Sequence, residues 1–210
     1  MTIYLVRHGE TAFNRDGLGL GRSDEPLTEL GQRQAAAVAD ALAARPIAAV
    51  YSSPLQRAKH AAELIARATG SSLEVRPDLT ELDAGDTEGL AFPLMRERFP
   101  DFFTAWRGNG AHEVPLPGGE SITDLALRLQ GLAAEIRERA TSEGVCVVSH
   151  NFVQRALLCD LLGIGLESFR SFAIELASIT TLSIRGKTVR IESLNDVCHL
   201  HSLEPSGKQT

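Results

Sequence analysis

Two stretches far apart in the chain constrain the fold most. Ile3-Tyr4-Leu5-Val6 and Val145-Cys146-Val147-Val148 are short and wholly apolar, and each leads within two residues to a histidine, His8 or His150. Uninterrupted apolar runs of this length belong to strands buried on both faces, as in a parallel sheet covered by helices on each side. In such sheets ligands bind beyond the carboxyl ends of the strands. A core strand that ends in Arg7, His8 and Glu10 around a glycine therefore delivers ionisable groups to that edge. If the two strands are neighbours, their histidines meet.

The rest of the chain fits this frame. A glycine-rich loop (Gly17, Gly19, Gly21) leads to a helix expected from about Thr28 to Ala44, with Leu30, Ala35, Val38 and Leu42 on one face. Residues 47–53 read as a second strand. The helix after it is expected to take Ser53 as N-cap and Pro54 as its first residue, with Gln56 completing a capping box and Gly70 ending it. A third strand is expected within 72–79. Residues 84–119 break the alternation, and their prolines and aromatics predict short helices in an inserted cap. A long helix starts at Ser121, with Asp124 three residues on and Leu125, Leu129, Leu132 and Ile136 along one face. Another helix follows His150 and stops at Gly163. Two last strands turn at Arg185-Gly186-Lys187 as a hairpin at the sheet edge. The expected fold is α/β: a three-layer α/β/α sandwich with a mostly parallel central sheet, an antiparallel edge and a small helical cap. One domain is expected over 1–198, with a frayed tail over 199–210.

Composition narrows the partners. The 210 residues are 43% hydrophobic and 23% charged, ordinary globular proportions. A formal net charge of −6 gives no general attraction to nucleic acid or to an anionic membrane, so an anionic ligand needs a local basic pocket. Cys146, Cys159 and Cys198 form no CxxC pair and read as small hydrophobes of a reducing, cytoplasmic setting rather than as disulfides or metal ligands. No signal peptide, membrane span, cofactor or metal site is expected, the His199-x-His201 pair in the tail included. There is no P-loop, and the loop around Gly17 to Gly21 is not a dinucleotide fingerprint. A homodimer through a sheet edge or helix face is compatible with the sequence.

The polar residues at the strand ends suggest one chemistry. Arg57 falls in the first turn of the helix after the second strand, beside free backbone N–H groups and the positive end of the helix dipole. Together with Arg7 it offers two guanidinium forks suited to a tetrahedral dianion. A histidine among arginines is held neutral, which leaves a ring nitrogen lone pair free for nucleophilic attack. Phosphoryl transfer asks mainly for positioning and for stabilisation of charge on the equatorial oxygens, which arginines and a second histidine supply. A leaving alkoxide needs a proton, and Asp-Leu-Thr-Glu-Leu-Asp-Ala-Gly-Asp-Thr-Glu-Gly (78–89) offers Glu81, Asp83, Asp86 and Glu88 without singling one out.

At this point the sequence resembles the histidine phosphatase superfamily, the phosphoglycerate mutase-like proteins. The resemblance rests on LVRHGET (5–11), DEPLTELG (24–31), YSSPLQRAKHAA (51–62), PGGES (117–121), VVSHN (147–151) and ASITTL (177–182), in the family's order over nearly the whole chain. It implies that His8 is the nucleophile that becomes phosphohistidine, and that Arg7, Arg57 and His150 hold the phosphoryl group. It also implies that Glu81 is the acid, that Asn14 is a further phosphate contact, and that Leu20 and Gly21 line the substrate entrance.

Three positions depart from the family's pattern: Leu20-Gly21 in place of Gln-Gly or Thr-Gly, Thr87 in place of Trp, and Asn151 in place of the glycine after SH. Asn151 is thereby a candidate substrate contact. Mutase members are usually longer, so the compact cap favours the phosphatase branch: a metal-independent hydrolase of a small phosphate ester. A cofactor-dependent phosphoglycerate mutase and a catalytically silent phosphate-binding protein are the alternatives. Arg96, Arg98, Trp106, Arg107 and His112 in the cap read either as specificity groups or as solvated helix faces.

Overall fold

The computed structural model describes residues 1–186 and 188–203. Its centre is a six-stranded sheet of β1 (Thr2–Arg7), β2 (Ala49–Ser52), β3 (Ser72–Val75), β4 (Val145–Ser149), β5 (Ile179–Arg185) and β6 (Thr188–Asp196), in the order β3-β2-β4-β1-β5-β6. β1, β2, β3 and β4 run parallel; β5 and β6 are antiparallel to their neighbours and form the edge hairpin. The register sets Arg7 opposite Ser149 and Ser52 opposite Val148. The chain therefore leaves β1, β4 and β2 side by side at one end of the sheet.

Strand geometry explains the unbroken apolar runs. Successive side chains point to opposite faces, and both faces are covered here. Ile3, Leu5, Tyr51, Val145 and Val147 pack in one core with helices α6 (Ile122–Arg139) and α7 (Asn151–Leu162). Tyr4, Val6, Val50, Cys146 and Val148 pack in a second core with α2 (Glu29–Leu42) and α3 (Gln56–Thr69). The result is the expected three-layer sandwich, with α1 (Ala12–Arg15) as a single turn after β1. Cys146 and Cys159 lie buried within the two cores and Cys198 is exposed; all three are free thiols. The inserted segment carries α4 (Phe92–Arg98) and α5 (Pro100–Trp106) between short 3-10 turns. No helix among the described residues is long and apolar enough to cross a membrane.

Local signals set most boundaries. Thr28 caps α2, Ser121 and Asp124 form a reciprocal capping box on α6, and Gly70 and Gly163 end their helices at φ 69° and 67°. Two expectations need correction. α3 begins at Gln56 with Leu55 as N-cap and no side-chain cap, because Ser53 Oγ is engaged with His150 and Gln56 bonds to Asp24. The frayed end expected from His199 is instead a 3-10 helix over Cys198–Leu203, where Leu200 packs on the second core and His199 Nε2 donates to the Ala177 carbonyl. Residues 204–210 and Lys187, the last of the three residues at which the hairpin is expected to turn, lie outside the described residues.

Candidate active site

His8 and His150 each follow a pair of registered residues on adjacent strands, and their rings lie 5.1 Å apart between centroids. Both side chains are buried, at 3% and 0% exposure. His8 Nδ1 sits 2.7 Å from the Gly9 carbonyl oxygen. A carbonyl only accepts, so Nδ1 carries the hydrogen and Nε2 keeps its lone pair. Burial, then the charges of Arg7 and Arg57, hold His8 well below the usual imidazole range. The ring is thus neutral and of defined tautomer, with the Nε2 lone pair available.

His150 is fixed from the neighbouring strand. Ser53, just beyond β2, accepts the Leu55 N–H at 3.3 Å and lies 2.8 Å from His150 Nε2. The one hydrogen of the hydroxyl has no other acceptor among the described residues, so it goes to Nε2, which places the hydrogen of neutral His150 on Nδ1. That Nδ1 is buried without a protein partner. Burial, followed by Arg57, lowers the pKa of His150 as well.

The two arginines reach the same place differently. Arg7 Nη1 donates to the Ile174 carbonyl at 2.7 Å, and its pKa is pushed down to about 10, chiefly by burial. Arg57 is wholly buried; Nη1 donates to the Ser23 carbonyl and Nη2 to the Gly21 carbonyl, both at 2.6 Å. The glycine-rich loop therefore serves to aim Arg57. Arg7 Nε and Arg57 Nε, like His150 Nδ1, are buried donors unmatched by protein acceptors. Three such donors around His8 match the oxygens of a tetrahedral anion, since a buried donor without an acceptor is costly.

Glu81 is 4% exposed, and the Leu82 and Phe152 N–H groups donate to it at 2.8 and 3.3 Å. Burial raises its pKa, more than these hydrogen bonds and Arg57 and Arg7 lower it. The carboxyl is biased towards its protonated form, as a general acid requires. Asp83, Asp86 and Glu88, left open by position, are engaged elsewhere. Asp83 pairs with Arg22, the Asp86 carboxyl faces Gly118, and Glu88 accepts the Gly21 and Ser23 N–H groups.

The remaining expected residues surround this centre. Asn14 Oδ1 accepts from the Thr11 N–H and hydroxyl, and Asn14 lines a groove together with Arg7. Leu20, Thr87 and Asn151 line a cavity of about 530 Å³ beneath the cap. Gly21 is buried against Ala84, away from the rim. Arg96, Trp106 and Arg107 line the same cavity, but Arg98 and His112 do not. Sequence reasoning missed Ser53 as a partner of His150, and two arginines. Arg155 lines the cavity, its Nε donating to Asn151 Oδ1 at 3.0 Å, and its charge reaches both Arg7 and Glu81. Arg128 on α6 donates to the Asp78 and Thr80 carbonyls at 2.6 and 2.9 Å, which braces the segment carrying Glu81. Arg155 could have been found by the reasoning that found Arg57, since it lies early in the helix after a histidine-ended strand.

A parallel sheet that brings two histidines, two arginines and a buried carboxyl to its strand ends defines a phosphate-transferring enzyme. The chain belongs to the histidine phosphatase superfamily (branch 1), whose family model matches residues 3–197. It is 34% identical over 198 residues to phosphoserine phosphatase 1 of Hydrogenobacter thermophilus, covering 94% of this chain and 93% of that protein. It is 35% identical to the metal-independent phosphoserine phosphatase of Arabidopsis thaliana, covering 96% and 84%. The solved structure of mycobacterial glucosyl-3-phosphoglycerate phosphatase with VO3 superimposes with a TM-score of 0.84 at 29% identity, covering 92% and 98%. The protein is a phosphomonoester hydrolase of the phosphoglycerate mutase-like kind.

Proposed function

We propose that the enzyme hydrolyses a small phosphate ester in two steps through phosphohistidine at His8, without a metal ion. The observation that carries this reading is the defined tautomer of His8: Nδ1 donates to Gly9, and the buried Nε2 keeps its lone pair. Nε2 attacks phosphorus, the bond from phosphorus to the ester oxygen breaks, and the Glu81 carboxyl gives its proton to the departing alkoxide. The Glu81 carboxylate then takes a proton from water as the water oxygen attacks phosphorus, the N–P bond breaks, and free phosphate leaves. Arg7, Arg57 and His150 stay on the non-bridging oxygens throughout, where developing charge is stabilised most. Asn14 adds a contact on the same oxygens, and the rim at Leu20 and Asn151 meets the alcohol.

The phosphatase outcome is supported over the mutase one by the phosphoserine phosphatases at 34% and 35% identity, against 31% for relatives named probable phosphoglycerate mutase, and over silent binding by the protonation bias of Glu81, which a pure binder does not need. The test is phosphate release from a panel of small esters in EDTA, with His8→Ala beside wild type and an alkaline quench to preserve phosphohistidine. Release and an acid-labile label on wild type alone support the reading. Loss of turnover in EDTA with recovery in Mg²⁺ or Zn²⁺, or label retained by His8→Ala, overturns it.

A further inference from the structure

The cavity under the cap differs in character from the phosphate centre beside it. Phe92, Phe102, Phe103 and Trp106 from the cap face it, with Phe152 and Phe169 from the body. Trp106 joins the two sides, with ring centroids 4.7 Å from Phe102, 6.2 Å from Phe152 and 6.3 Å from Phe169. The cavity meets the chemistry at one residue. The Phe152 N–H donates to the Glu81 carboxyl while the Phe152 ring forms cavity wall. A leaving oxygen that takes its proton from Glu81 therefore projects its carbon skeleton among these rings.

Two cations interrupt the aromatic wall. Arg155 is half-buried, tied to Asn151, and Arg170 lies over Trp106 and Phe169 at 5.7 and 5.1 Å from the ring centroids. Neither has a carboxylate within 4.0 Å among the described residues, a condition they share with Arg7 and Arg57 of the phosphate centre, whereas Arg22 and Arg128 are paired. A compact polar ester leaves the rings in contact with water and these guanidinium groups, which donate to Asn151 Oδ1 and to the Phe169 and Trp106 carbonyls, without a counter-charge. We propose that the preferred substrate is a phosphomonoester whose alcohol carries an apolar ring and a second anionic group. The ring packs in the Trp106–Phe152 cavity, and the anion is taken by Arg155. This inference rests on the hydrolase reading and names the substrate class for it.

The test compares kcat/KM for ethyl phosphate, 2-phenylethyl phosphate and 4-(2-phosphooxyethyl)benzoate, whose leaving alcohols are similarly basic. Burial of the ring is expected to raise kcat/KM roughly 10- to 100-fold, and the carboxylate about 10-fold further. Trp106→Ala should shrink the ring gain and Arg155→Gln the carboxylate gain. Both are read as ratios between substrates, which do not depend on the fraction of enzyme folded. Equal kcat/KM for the three esters overturns the inference and leaves the hydrolase intact. Arg155→Gln slowing all three alike also overturns it, because Arg155 then serves the phosphoryl group. Absence of turnover on every ester, together with absence of label on His8, overturns the hydrolase reading and this inference with it.

Discussion

A carboxyl and two imidazoles share one enclosed volume at the strand ends, and burial acts on them in opposite senses. It raises Glu81, favouring its protonated form, and lowers His8 and His150, keeping both rings neutral. The first chemical step therefore runs best while Glu81 is protonated, and kcat/KM should fall on the alkaline side of its raised pKa. Glu81→Gln should abolish that alkaline limb and slow alkyl esters about 10²- to 10⁴-fold, with a much smaller loss on p-nitrophenyl phosphate, whose leaving group needs little protonation. Equal losses on both would remove Glu81 from the acid role. Ser53 acts through His150 by holding its hydrogen on Nδ1. Ser53→Ala should lower kcat/KM roughly 10-fold, the worth of one buried hydrogen bond. A lowered Tm with unaltered turnover would assign Ser53 to folding alone.

At the scale of elements, the site depends on how closely α2 approaches the loop after β1. Gly31, in the first turn of α2, lies against the backbone of Gly9 and Glu10, and a Cβ there would collide with the Glu10 carbonyl. The Gly9 carbonyl that sets the His8 tautomer is thus braced by a helix. Gly31→Ala should cost about 1–3 kcal/mol by overpacking and reduce kcat/KM beyond any loss of folded protein, as denaturant titration beside steady-state kinetics would show. The strands and their terminal histidines are legible in the sequence because apolar runs and strand-end residues lie in one continuous segment. Ser53 is not legible in its role. Ser-Pro-Leu-Gln satisfies the pattern of a capping box, and only the spatial neighbour His150 competes for the hydroxyl. The aromatic cavity is legible as composition but not as shape, since its wall is assembled from α4, α5, α7 and the turn holding Phe169. The choice of Glu81 among four acidic residues depends on burial, which position in the chain does not reveal.

For the molecule as a whole, the two buried histidines set an acid limit. Their pKa values are depressed on folding, so the stability they allow is present above the unfolded value near 6.5 and is lost as pH falls below it. Each contributes a slope of about 1.4 kcal/mol per pH unit in that window. Glu81, raised on folding, gains stability in the acid direction and offsets part of this loss. Denaturant midpoints should therefore decline below pH 6.5, and His8→Ala should show a shallower decline than wild type. An equal slope would mean that His8 takes up its proton without unfolding. The cap has a different standing in the molecule. Its rings pack largely on one another, Phe92 on Phe103 and Phe102 on Trp106, while the histidines and arginines are held by the sheet and its flanking loops. In the proposed reaction, changes confined to the 92–106 segment therefore act on the wall that meets the alcohol and leave the bonds that hold the histidines and arginines in place, so one catalytic floor can carry many different ceilings.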